Sequence, residues 1–159
     1  MNFNSVVSAI NTILETVAAQ TVTYGNTGVT RFNQVVQGEP MQLPQSDRLV
    51  AFWYAGEEEE AETLGNAMTW HRFQVGLYWH PRVMLSDVEN LEAERMDSLR
   101  AVKTALRADS DLGAVVADLK LTTAQHGVTQ FGEQDRFIRY STLTFELHVW
   151  DSEGEAIAK

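Results

Sequence analysis

The four histidines, His71, His80, His126 and His148, are the side chains of this sequence best suited to hold a metal or move a proton near neutral pH. A metal site needs two or three such ligands converging. No HxH, HxxxH or HExxH spacing joins any pair of them. His71 falls on the apolar side of an alternating run and reads as a satisfied, partly buried histidine. Cysteine is absent, which removes thiol catalysis, zinc fingers and disulfides. The acidic block Glu57, Glu58, Glu59 and Glu60 lacks the spacing of a calcium loop. Glu146 is the carboxylate nearest to sitting in an apolar run, and its neighbours Thr142, Thr144 and His148 place it on a polar face. GxSxG, GxGxxG and P-loop spacings are all missing. The expectation is no catalytic residue, no metal and no cofactor, and hence no enzyme.

Charge narrows the partners. The 159 residues carry 22 acidic and 12 basic side chains, a net charge of −10. The basic residues are too few and too scattered to neutralise a phosphate backbone, so neither non-specific DNA binding nor attachment to an anionic membrane surface is expected. The segment 1–20 has no basic region ahead of its apolar residues, and no apolar run approaches the ~18 residues that span a bilayer. The expectation is a protein made, without a secretory leader, in a cytoplasm.

The elements that must carry these residues follow from periodicity. Val6, Ile10, Ile13, Leu14 and Val17 recur every three or four residues and predict a helix over 3–19. A short extended piece at 21–24 follows. Residues 25–47 hold Gly25, Gly28, Gly38, Pro40 and Pro44 with Phe32, Val35, Val36, Met41 and Leu43 between them, without a clean period. They read as a long loop or arm whose apolar residues need a surface to rest on. Leu49–Tyr54 and Trp70–His80 read as strands with a loop between them that contains the acidic block. The capping box of Ser86 and Glu89 starts a helix over 86–107. Val115–Thr123 and Phe137–Trp150 alternate as strands, joined by a glycine-containing link at 127–134, and the tail at 152–159 is polar and frays. The order predicts an α+β fold over a single domain, 1–159. Its sheet is mainly antiparallel, with an N-terminal helix and a central helix packed on one face.

Strand parity then separates the aromatics. His71, Phe73, Val75, Leu77 and Trp79 share the helix side, while Tyr78, Tyr140 and Trp150 fall opposite. Either the arm folds back over them or another subunit covers them. The second reading is preferred, because Trp and Tyr anchor interfaces. It makes Phe32, Val35, Val36, Met41, Leu43, Tyr78, Tyr140 and Trp150 interface candidates.

This order of elements resembles the tail terminator (tail completion) proteins of long-tailed phages, small acidic domains of similar length. The resemblance rests on the helix 3–19, the strands 49–54 and 70–80, the capped helix 86–107 and the strands 115–123 and 137–150; the segment 25–47 departs from it. It implies a homohexameric ring that caps the tail tube and joins it to the head connector, in the virion neck, after assembly in the host cytoplasm. Its partners would be itself, the tail-tube protein and the connector protein, with DNA passing through the hole without specific binding. Glu57, Glu58, Glu59 and Glu60 would then line the channel or its rim, where like charge does not hold passing phosphates, or else form an ordinary outer loop. The alternatives are another neck or tail-tube subunit, or a small-ligand-binding α+β domain or enzyme.

Overall fold

The computed structural model describes residues 3–41, 45–60, 67–80, 82–83, 88–116, 118–130 and 137–151. The helix α1 spans Phe3–Ala18 and α2 spans Val88–Ala108. The strands are β1 Thr21–Tyr24, β2 Thr27–Thr30, β3 Gln34–Gln37, β4 Arg48–Glu60, β5 Ala67–Trp79, β6 Asp118–Gln130 and β7 Phe137–Asp151. The first two form a hairpin, and the other five form one sheet in the order β3-β4-β5-β7-β6. Only the β3–β4 pair in that sheet is parallel. The fold is therefore α+β with a mainly antiparallel sheet.

Both helices lie on one face. Val6, Ile10, Leu14 and Val17 of α1 and Leu91, Leu99, Val102 and Leu106 of α2 share a core with Val50, Phe52, Phe73, Val75, Leu77, Trp79, Leu143, Phe145 and Leu147 of the sheet. The spacing of three and four on the helices and of two on the strands brings these side chains together. Of the expected capping box of α2, Ser86 and the side chain of Glu89 lie outside the described residues, as does the tail at 152–159.

Two strands differ from the periodic reading, each at a bulge. The strand β4 continues past Tyr54 through the acidic block, so Glu57–Glu60 are paired with His71–Met68 rather than held in a loop. The register shifts between Tyr54 and Gly56, and Gly56 takes φ 130°, a value glycine adopts without steric cost. A second shift, between Leu121 and Thr123, moves the inward face of β6 from Leu119 and Leu121 to the even-numbered residues beyond. The strand runs on through Gly127, where a link was expected, and it starts at Asp118. Residues 111–116 are a turn, with Leu112, Gly113 and Ala114 at positive φ.

The stretch 25–47 corrects the expectation most. It is no detached arm: it supplies β2 and β3. The amide of Arg31 donates to the Gln20 carbonyl and that of Phe32 to the Ala18 carbonyl, which ties the returning hairpin to the end of α1. Phe32 is thereby driven into the core, 2% exposed, with its ring 6.4 Å from that of Trp79. It is not an interface residue. Val35 packs against the same core, and Val36 points through to the opposite face.

Two carboxylates of α2 fasten this region. Glu94, 2% exposed, accepts from Nε and Nη2 of Arg48 and, at 2.9 Å, from the Trp79 indole. Asp97 accepts from Arg31 at 2.8 Å and from the Tyr24 hydroxyl at 2.9 Å. Burial opposes ionisation of Asp97, but Arg31 and Tyr24 outweigh it and hold its carboxyl below the usual range.

Candidate functional site

The side of the sheet away from the helices carries a second apolar cluster: Leu49, Ala51, Tyr78 and Ile138, with Val36, Trp53 and Tyr140 against it. The cross-strand rows explain its shape. Leu49, Tyr78, Tyr140 and Gly127 are mutual partners in one row, and Ala51, Gly76, Thr142 and Gln125 in the next. Small residues in the second row leave a depression. The Tyr78 ring leans into it over Gly76, where an added Cβ would lie 2.6 Å from the ring. The Tyr140 ring crosses Gly127 in the same way, at 2.8 Å from its hydroxyl. Trp53 and Gln74 stand on the far side. Gly38, at φ 112°, turns the chain after β3, and Glu39 and Pro40 form the remaining wall. The result is an open hollow of about 310 Å³ lined by Glu39, Pro40, Trp53, Gln74, Tyr78, Tyr140 and Thr142.

The hollow is aromatic on its walls and negative at its rim. Burial, then the Glu39 carboxylate and Tyr140, push the Tyr78 hydroxyl up to about 12. Burial and Asp97 push that of Tyr24 up to about 12 as well. An unfolded tyrosine titrates near ~10. A folded-state pKa above the unfolded one stabilises fully below the unfolded value, and that contribution is lost as pH rises through the folded one. Stability is therefore expected to fall between about pH 10 and 12, and the fall to be shallower in Tyr78→Phe. Urea melts across that range, alongside tyrosinate absorbance, check it.

Further along the same face the polar groups satisfy one another. Arg72 donates to Glu146 at 2.9 Å. Trp70 stacks on His148 at 3.7 Å and 4°, with the Lys120 ammonium 5.9 Å from the Trp70 ring. Glu146 is thus an ion-pair partner, not an isolated carboxylate.

The interface candidates are dispersed. Tyr78 and Tyr140 come together at the hollow, but Tyr78 is only 7% exposed and is chiefly a packing residue. Glu39 and Pro40 bring part of the stretch 25–47 back over this face, so the covering reading holds in part. Met41 is 85% exposed beside them. Leu43 lies outside the described residues, as does the side chain of Trp150. Trp53, Gln74 and Glu39 were not singled out by sequence. Parity could have found Gln74, whereas Glu39 needs the turn at Gly38.

On the helix side, the bulge in β4 puts Tyr54 and Glu57 on one face although they are three apart. The Tyr54 hydroxyl lies 3.2 Å from Glu57 and 3.3 Å from Nδ1 of His71, with the Phe3 ring 5.1 Å from His71. Burial and Glu57 raise the Tyr54 pKa, the opposite of what a tyrosinate base requires. Among the described residues no three His, Asp or Glu side chains are placed to hold a metal ion. No described helix is long and apolar enough to cross a membrane. Compared with known proteins, the chain matches no family model and no curated sequence.

Proposed function

We propose that this chain is a non-catalytic assembly subunit of the tail-terminator type. Copies of it form a hexameric ring that caps a phage tail tube and meets the head connector. The observation that carries the reading is the second apolar cluster with its aromatic hollow, on a sheet face that neither helix covers. Rigid aromatic surface of this kind is the usual anchor of a subunit contact. The order of elements supports it too, with a helix ahead of the large sheet and a second helix between its β4–β5 and β6–β7 hairpins. In such a ring Glu57, Glu58, Glu59 and Glu60, at the far end of β4, stand at the channel or its rim, and DNA passes without being held. The virion neck is the corresponding location.

Sedimentation and native mass measurement of the pure protein, with negative-stain imaging of assembled tails, test this. A closed ring, six-fold, is the expected result. A monomer at high concentration, with no ring on tails, overturns it. A second reading, a small-ligand-binding domain, draws on the same hollow, whose aromatic walls carry a few convergent polar groups in Gln74, Thr142 and Glu39. Stoichiometric small-molecule binding by a monomer would favour it.

A further inference from the structure

Opposite sides of the molecule carry complementary chemistry. The hollow is lined by the aromatic side chains of Trp53 and Tyr140, by the mostly buried Tyr78 and by Glu39, with no cation in its lining. A cation is the group that both features attract: ring faces through their quadrupole, the carboxylate through its charge. The volume, about 310 Å³ and open to solvent, suits the end of one long side chain.

Among the described residues, the cations without an ion pair lie on α2, apart from Lys120, whose ammonium sits over Trp70 on the face of the hollow itself. Arg31, Arg48, Arg72, Arg82, Arg95 and Arg139 are each ion-paired within the molecule. Arg100, Lys103 and Arg107 are not paired among the described residues, and they share one face of α2 at spacings of three and four. Met96, one turn before Arg100, is 53% exposed and extends the stripe. The helix dipole explains a cation at Arg107, in the last turn. It does not explain Arg100, about two turns earlier, because the effect is confined to the final turn. Asp97 lies close enough to Arg100 to feel its charge, but it is already held by Arg31 and Tyr24.

Because α2 packs on the face of the sheet opposite the hollow, a molecule cannot fill its own hollow with this stripe. A chain of net charge −10 also repels its copies, so a self-contact must set its few free cations against acid. We propose that the Arg100 and Lys103 stripe of α2 docks on the hollow of Glu39, Trp53, Tyr78 and Tyr140 in the next copy. Joining unlike surfaces, this contact is heterologous and runs head to tail, the kind that closes a ring where the rotation between copies closes and extends a filament where it does not. The inference rests on the ring reading above and names the surfaces that build the ring.

The test is charge exchange followed by sedimentation. Glu39→Lys alone, and Arg100→Glu with Lys103→Glu, are each expected to weaken assembly at least about tenfold in the concentration required. All three changes together restore opposite charges across each contact and should recover most of the loss. Thermal melts at concentrations where the chain is dissociated should shift only slightly, because the altered side chains carry no internal ion pair among the described residues and Arg100 acts on Asp97 only through its charge. A ring that forms equally well in both variant sets overturns the contact and leaves the ring reading standing. Loss without recovery in the combined variant overturns the pairing of these two surfaces. If the wild-type chain makes no ring, the ring reading fails and the contact with it. If the ring is indifferent while free arginine perturbs tryptophan fluorescence in the wild type but not in Glu39→Lys, the hollow serves another basic partner and the self-contact is overturned.

Discussion

Glu94→Ala is expected to destabilise the protein by about 3–5 kcal/mol, the cost of removing one partner from a buried ion pair. The Glu94 side chain is 3% exposed and that of Arg48 is 12% exposed. Truncation leaves a part-buried guanidinium without its carboxylate and the Trp79 indole N–H without an acceptor. Against a typical stability of about 5–15 kcal/mol, that is a large fraction. Glu94→Gln keeps an acceptor for the indole and should lose less. Urea unfolding of both variants measures the difference. Equal stability of Glu94→Ala and wild type would show that Arg48 finds water or another carboxylate.

Phe32→Ala is expected to cost a similar amount, about 3–5 kcal/mol, through the cavity left under α1. The residue lies in a glycine- and proline-punctuated stretch where apolar side chains read as surface anchors. The structure makes it core, packed against Trp79. The two readings give opposite outcomes. A core Phe32 lowers the melting temperature of the subunit at any concentration. An interface Phe32 would leave the subunit's stability alone and weaken only self-association. Thermal melts over a range of protein concentration separate them, and the structure requires the first.

The elements with uninterrupted periods were legible in the sequence. The apolar seam of α1, the alternation His71 to Trp79 and the alternation from Leu143 to Leu147 each place residues where the structure has them. Parity also put Tyr78 and Tyr140 together, opposite the helices. What escaped was whatever breaks a period. The bulges near Ala55 and Thr122 reverse the parity of β4 and β6 partway along, so Glu57 and His126 read as the wrong face or as loop. Nor does any local signal announce β3. Its partner β4 lies beside it in parallel, and two valines between polar residues look the same in an arm as in an edge strand. The hollow was half visible for the same reason. Its floor and tyrosines follow from strand rows, but Glu39 reaches it only because Gly38 turns at φ 112°.

The strand β7 sits between β5 and β6 although it comes after both in the chain. Neither neighbour can complete its ladder before it arrives. During synthesis, β4, β5 and α2 emerge first, and β5 keeps one edge of unpaired backbone N–H and C=O groups until residues 137–151 leave the ribosome. Closing β5 onto β7 joins positions as distant in sequence as Ala67 and Asp151, and pairings of such separation form slowly. The half-made sheet is therefore the state most exposed to misassembly with other nascent chains. The rate of folding should depend more on the supply of β7 than on the helices.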